Sequence, residues 1–310
     1  MTSSALHHVT AISGPARRNL RFYTEVLGLR LVKKTVNFDD PGTYHLYYGD
    51  EAGRPGSVLT FFPWDQVAPG RVGVGETSRT AFRIPRSSIG WWTQAFVEAS
   101  VPHDAPVVRF GETTLGFRDP DGLSLALVGV EGAENEAGWT SVKVPAEHAI
   151  RGFHGVTLLV RSTEPTAAIL TDVFGQREVA REGAVTRFDA GGAGYGRFVD
   201  LHEAGDFLRG RPGGGSVHHV AFRAADDAAQ AEMARKLVAD HRIGVTEQKD
   251  RNYFRSVYFR EPGGVLFEIA TDAPGFAVDE PAETLGQALK LPPELERLRS
   301  RIEDRLPALA

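Results

Sequence analysis

The chain contains no cysteine in 310 residues and only two methionines. That absence excludes disulfides, thiolate metal sites and cysteine nucleophiles together. It leaves His, Asp and Glu to hold any metal, a donor set suited to hard or borderline ions. No apolar run approaches a membrane span, and the N-terminus lacks a basic-then-apolar signal pattern. A cytoplasmic protein with no membrane partner is the expectation. Positive charge is short as well: 35 Lys and Arg against 40 Asp and Glu give a net charge of −5. Nucleic acid would find no basic footprint here. What remains, 42% hydrophobic and 24% charged, is an ordinary globular composition with chain enough for two domains or one large one.

Against those absences stands a repeat. From His8 the chain reads strand (HVTAI), helix (RRNLRFYTEVLG), then strands LRLVKKTVNF, TYHLYYGD and, after the turn signal GRPG, SVLTFFPW. Ser13 is placed to cap the helix, Pro15 suits its first turn and Gly28 its end. The order recurs as a strand over 79–85, a helix over 88–100, and LSLALV after the turn DPDG. It recurs again as FHGVTLLV, TEPTAAILTDVFG and RFVDLHE. The fourth copy is HHVAFRA, DDAAQAEMARKLVADH, SVYFR and, past EPGG, VLFEIA. Four βαβββ modules predict an α+β protein of two curved, barrel-like mixed sheets with helices outside. The polar stretch 131–150 reads as a connector between an N-terminal half, 1–135, and a C-terminal half, 150–278. A tail over 279–310 carries Pro292 and Pro293 before LERLRSRIEDRL, a predicted terminal surface helix.

Two of the opening strands carry paired histidines, LHHVT and SVHHVAF. Neighbouring strand residues face opposite ways, so the members of a pair have different surroundings. Counting back from the helix ends VLG and VFG aligns His8 with Gly155 and His7 with His154; His219 takes the His8 position in the fourth module. Val220 and Phe222 suit the helix-packed face, which turns His219 to the cavity and leaves His218 on the apolar side. In VLFEIA the alternation of Val265, Phe267 and Ile269 sends Glu268 the other way. A carboxylate in so apolar a run is costly to bury unless paired or coordinated. Its counterparts, read in register, are Phe61, Ala126 and Asp200, and the second module's strand TAFRI has no histidine.

One complete ligand set can be assembled: His8, His219 and Glu268. Two imidazoles and one carboxylate with open positions match the facial arrangement of oxygen-activating non-heme Fe(II). Three protein ligands are one short of a closed structural zinc site. For one ion to be gripped from both ends of the chain, modules one and four must pair in space, leaving two and three as the non-metal half. His45, His148 and His154 take the ordinary reading of surface or structural residues. Asp200 reads as hydrogen-bonded structure or a lapsed site, and Phe22, Tyr23, Trp91 and Trp92 as core.

These motifs, with VLGLRLVKKTVNFDD, YHLYYGDEAGRPGSVLTFFPW, PAEHAIRGFHG and YFREPGGVLFEIA, resemble the vicinal oxygen chelate superfamily of glyoxalases, bleomycin-resistance proteins and extradiol dioxygenases. Within it the likeness is to ring-cleaving dioxygenases that open hydroquinones and chlorinated hydroquinones, and it runs from about Leu6 to about Leu289. The resemblance implies an Fe(II) enzyme, with Mn(II) an alternative, whose ligands match His8, His219 and Glu268. Its substrates would be O2 and a small aromatic ring of hydroquinone or catechol type. It implies catalytic roles for His218, Arg251 and Tyr258, and substrate contacts from His7, Arg251 and Tyr258. Tyr258 also has cavity parity, since Val257 and Phe259 take the other face. Arg251 or Tyr258 would stabilise oxyanion charge, and His218 or Tyr258 would move a proton. Two rivals share the superfamily. A glyoxalase-like isomerase or lyase would ask for a fourth protein ligand. A metal-free, drug-sequestering protein has no use for a buried glutamate opposite two histidines. A homo-oligomer is left open.

Overall fold

The computed structural model of the chain describes residues 4–192 and 194–309. In the first module β1 (Leu6–Ser13) leads to α1 (Ala16–Arg21), a π turn over Phe22–Val26, and then β2 (Arg30–Asn37), β3 (Asp40–Gly49) and β4 (Val58–Pro63). The second holds β5 (Glu76–Pro85), α2 (Ile89–Glu98), β6 (Val107–Arg109), β7 (Glu112–Arg118) and β8 (Ser124–Val130). The third holds β9 (Phe153–Val160), α3 (Glu164–Asp172), β10 (Arg177–Glu182), β11 (Val185–Asp189) and β12 (Phe198–Glu203). The fourth holds β13 (Ser216–Ala224), α4 (Asp227–Ala239), β14 (Lys249–Asp250), β15 (Arg255–Arg260) and β16 (Leu266–Thr271). Gly28 ends the first helical stretch at φ +66°, where a side chain would also strike Val144. Ser13 does not cap that helix. It is still paired in β1, beside Pro63, and the helix opens after Pro15 with no side-chain cap.

These strands make two eight-stranded mixed sheets, ordered β14-β15-β16-β13-β1-β4-β3-β2 and β10-β11-β12-β9-β5-β8-β7-β6. At the centre of the first, β13 and β1 run antiparallel, so strands of the fourth and first modules share it; β9 and β5 do the same for the third and second. Helices flank the sheets, α4 on β13, β15 and β16, and α2 on β7 and β8. The alternation seen in the sequence supplies the core: Val220, Phe222, Phe267 and Ile269 are fully buried, and Phe222 stacks on Phe174 at 4.1 Å between ring centroids. Each such side chain contributes about 1.5–3 kcal/mol of transfer free energy. Among the described residues no helix is long and apolar enough to cross a membrane.

The central pairings are irregular, and the irregularity decides where the histidines point. Between β1 and β13 the register slips twice, leaving His7 on one strand and His218 on the other as extra residues. The β5–β9 pair carries matching slips at Ser78 and His154. At a bulge two residues oppose one, and strict alternation fails. His218 therefore opens toward the cavity with His219 instead of joining Val220 and Phe222 on the apolar side. A second departure lies in β4. Thr10 pairs with Thr60, two residues past His8, as Ala221 pairs with Glu268, two residues past His219. The first-module counterpart of Glu268 is thus Thr60, and Phe61 is buried in the core 4.5 Å from the Tyr23 ring. Ala126 and Asp200 hold their expected registers.

Two arms, 64–75 and 204–215, connect the sheets and pair with each other at Pro69–Gly214, Arg71–Arg211 and Val74–Arg209. Gly73 permits the crossing, since a Cβ there would sit 2.3 Å from the Leu208 carbonyl oxygen. Glu76 lies beneath it, 9% exposed and packed on Gly210. Burial pushes its carboxyl up to about 7, against the opposing pull of Arg260. A carboxyl raised in the fold stabilises it below the unfolded value, and that contribution disappears as pH rises through the folded one. Glu76→Gln should therefore be more stable than the parent at about pH 8, with the gain shrinking toward pH 5. Urea midpoints at the two pH values test this, and an unchanged gap between the proteins would refute it.

The tail covers a sheet edge. β2 ends its sheet and would otherwise leave backbone groups unpaired; Lys34 bridges Leu289, and the Lys290 N–H donates to the Lys34 carbonyl at 2.9 Å. In place of one helix the tail holds two short ones, α5 (Pro293–Glu296) and α6 (Arg299–Glu303). The break at Leu298 lets Leu295, Leu298, Ile302 and Leu306 all pack with Val36 and Leu291.

Candidate metal centre

The bulge at His7 sets His8 on the inner face of β1, and the bulge at His218 sets His219 on the inner face of β13. Regular alternation along β16 brings Glu268 to the same face, paired in register with Tyr258 of β15. All three are buried, at 2%, 4% and 0% exposure. Glu268 Oε2 lies 2.9 Å from His219 Nε2 and 3.4 Å from His8 Nε2, and the two Nε2 atoms are 3.3 Å apart. Three donors each about 2.1 Å from one ion would form a triangle with edges of about 3.0–3.4 Å, depending on the angles. The observed triangle has that size. Among the described residues it is the one group of at least three His, Asp or Glu ligand atoms placed to share an ion.

Its electrostatics agree. Oε2 has no hydrogen-bond partner of acceptable geometry, although both imidazoles crowd it, whereas Oε1 accepts from Ser256 Oγ at 2.5 Å. Burial alone would raise the Glu268 carboxyl; His8 and His219 outweigh it and hold the group well below the usual carboxylate range. Burial lowers His219, keeping its ring neutral and free to act as a ligand.

Behind the triangle the bulged histidines fix the rings. His7 and His8 meet through their Nδ1 atoms at 2.9 Å, and His218 and His219 through theirs at 2.8 Å. For His8 Nε2 to carry a lone pair inward, its Nδ1 must hold the proton and donate to His7. Burial depresses His7 to about 3, so it is the neutral acceptor this requires. His7 does not line the cavity; it sits behind His8 against Phe254, 5.1 Å between ring centroids.

A cavity of about 380 Å³ opens from the triangle. Phe38, Phe62, Trp64 and Phe254 give it aromatic walls, with His218, Arg251 and Tyr258 also on its surface. Arg251 Nε donates to the Tyr258 hydroxyl at 3.3 Å and Nη2 to Asp39 at 3.1 Å. Tyr258 meets His219 edge-on at 5.7 Å, and burial raises its phenol so that the hydroxyl keeps its proton.

The family model described as Glyoxalase/Bleomycin resistance protein/Dioxygenase superfamily matches residues 5–127. Over 302 residues the chain is 46% identical to the candidate ring-cleaving dioxygenase MhqO of Bacillus subtilis, covering 97% of this chain and 95% of that protein. The chain belongs to this superfamily. It is also 33% identical to the chlorohydroquinone/hydroquinone 1,2-dioxygenase of Sphingobium indicum, over 96% of this chain and 94% of that one. The crystal structure of a candidate dioxygenase from Bacillus subtilis superposes with a TM-score of 0.94 at 45% identity, covering 100% of this chain and 98% of the other.

Several cavity residues of this superfamily member, among them Phe38, Phe62, Trp64 and Phe254, were given no site role from the sequence, and one histidine joins them. His45, given an ordinary structural role above, is on the cavity wall, its ring 4.3 Å from Phe62. Its Nε2 meets Thr60 Oγ1 at 2.8 Å and its Nδ1 the Tyr47 hydroxyl at 2.9 Å, while Thr60 meets Thr10 at 2.8 Å. The signal was present in TYHLYYGD: His45 shares parity with Tyr47, and the first-module register error at Phe61 hid its partner Thr60. His154 and Asp200 belong to the other sheet, where His154 Nε2 meets Glu112 at 2.9 Å.

Proposed function

We propose that the chain is an Fe(II)-dependent ring-cleaving dioxygenase that inserts both atoms of O2 into a hydroquinone- or catechol-type ring, with His8, His219 and Glu268 as its metal ligands. The observation that carries this reading is the buried His-His-Glu triangle, sized for one ion, single among the described residues and opening on an aromatic-walled cavity. When bound, such an ion supplies a Lewis-acidic, redox-active centre with free positions for substrate oxygen and O2. The sheet built from modules one and four is then the metal half and the other sheet the non-metal half, with 1–135, 150–278 and the tail 279–310 as units of sequence organisation. Mn(II) could replace iron in the same oxygen and nitrogen donors.

The chain's own side chains divide the remaining work. The aromatic walls hold a ring and exclude water. Arg251 sets positive charge beside the Tyr258 hydroxyl, where a substrate oxyanion would be stabilised. With His219 bound through Nε2, its Nδ1–H donates to His218 Nδ1, so the neutral His218 ring carries its own proton on Nε2 and can donate it toward a substrate oxygen. His7, held behind His8, acts on substrate through that ring rather than by contact. A glyoxalase-like reading would want a fourth protein ligand. The counterpart of Glu268 in the same sheet is Thr60, whose hydroxyl is already shared by His45 and Thr10.

Fe(II)-reconstituted protein should take up oxygen with hydroquinones or catechols in an oxygen-electrode assay. Uptake with neither class would overturn the proposal, and conversion of a hemithioacetal without oxygen uptake would favour the glyoxalase-like alternative. Tyr258→Phe should lower turnover about 10–100-fold, as loss of a group supporting a metal site does, while iron content stays at the parent level. Unchanged turnover would rule out an essential role for that hydroxyl.

A further inference from the structure

The second sheet encloses a cavity of its own, about 450 Å³, on the face that corresponds to the metal-centre face of the first. The correspondence is residue by residue. Arg187 pairs with Asp200 across β11 and β12 as Tyr258 pairs with Glu268 across β15 and β16. Gly155 follows the His154 bulge as His8 follows that at His7, and Arg79 follows the Ser78 bulge as His219 follows that at His218. A guanidinium thus occupies a metal-ligand position, and no imidazole remains at either one.

Two of the cationic side chains on this cavity are already neutralised. Arg187 donates to both oxygens of Asp200 at 2.8 and 2.9 Å and to Glu112 at 3.0 Å, its guanidinium 4.0 and 4.7 Å from the Phe110 and Phe198 rings. Arg109 is paired with Glu182 at 2.9 Å. Arg79 and Arg118 differ: among the described residues neither forms an ion pair with a carboxylate. The hydrogen bond recorded for Arg118 runs to the Gly122 carbonyl, and Asp104 acts on Arg79 from beyond ion-pair distance. They are also neighbours. Thr80 pairs with Leu125 and Arg118 with Ser124, so Arg79, Ser124 and Arg118 form one row across β5, β8 and β7. All three line the cavity.

Two like charges flanking a hydroxyl in a concave site repel each other unless an anion lies between them. Planar guanidinium forks suit a carboxylate, and Ala126, Val128 and Leu159 give the same cavity an apolar wall for a carbon skeleton. We infer that the second cavity is a binding site for a small organic carboxylate, held by Arg79, Ser124 and Arg118 and separate from the metal centre.

The test is calorimetric titration of metal-loaded full-length protein with maleate at low ionic strength, where surface charge is least screened. One saturable site per chain is expected. Arg118→Gln, at an exposed position, should weaken it about tenfold, and Arg79→Gln combined with it more. Glu268→Ala should bind maleate as the parent does, and Arg118→Gln should retain the parent rate of oxygen uptake. No saturable heat up to about 10 mM maleate would overturn the inference, as would equal affinity in the Arg118→Gln protein. Binding lost in Glu268→Ala but kept in Arg118→Gln would place the anion in the first cavity and likewise sink it. Inorganic phosphate binding as tightly as maleate would overturn the carboxylate assignment. None of these outcomes bears on ring cleavage, which the oxygen assay tests alone.

Discussion

Glu268→Ala should yield a folded protein that retains no iron and shows no oxygen uptake. Glu268 is the sole anion of the proposed ligand set, and its carboxylate is fully buried beside two imidazoles that are neutral when they bind metal. Losing a supporting residue around a metal site costs about 10–100-fold in affinity, and losing the charged ligand itself removes more. Folding should survive, because the change removes the desolvation cost of a fully buried carboxylate and leaves intact the Val220, Phe222, Phe267 and Ile269 core on the opposite face of the sheet. Thermal unfolding separates the two effects. A ligand that binds only the native state stabilises it by about 4 kcal/mol at a thousandfold excess over its dissociation constant. Added Fe(II) or Mn(II) should therefore raise the melting temperature of the parent and leave that of Glu268→Ala unmoved. His8→Ala and His219→Ala should behave alike, whereas His154→Ala, whose ring meets Glu112 in the other sheet, should keep its iron. Iron retained at parent stoichiometry in Glu268→Ala would dismiss this carboxylate as a ligand.

The same triangle shows what the sequence could and could not reveal. Module order was legible because turn signals and helix ends are local, and Glu268 was legible because a lone carboxylate interrupts an apolar alternation. The bulges were not. A single extra residue on each central strand leaves no mark in composition, yet it turns His218 into the cavity and puts His7 behind His8. Reading the closing strands in register from the sequence likewise gave Phe61 the Glu268 position, when pairing along β1 and β4 selects Thr60. Period-two reasoning holds only while the ladder stays regular. The pairing of modules one and four was within reach because one ion must draw its ligands from both ends of the chain, but nothing near Lys33 announces that a strand from the first module closes on residues some 246 positions later.

That contact carries the second large effect. Lys33 is fully buried on β2, its Nζ 2.6 Å from both Asp279 and Glu280 and 5.0 Å from the centre of the Tyr253 ring. The Tyr253 hydroxyl donates to Asp279 at 3.0 Å, and Arg251 and Phe254 of the same loop line the metal-centre cavity. Removing one partner of a buried charge cluster leaves the others uncompensated, at about 3–5 kcal/mol. Lys33→Met should lower the unfolding free energy by that amount, measured by urea denaturation. The triple change Lys33→Met, Asp279→Asn, Glu280→Gln should recover most of it, since the penalty lies in the two orphaned carboxylates rather than in the lost attraction. If the triple variant proves as unstable as the single one, the lysine matters for shape and packing instead of charge. A site effect should accompany the single change. With Asp279 freed from Lys33, the loop bearing Arg251 and Phe254 loses its anchor, so turnover should fall while the three proposed ligands, on β1, β13 and β16, still bind iron.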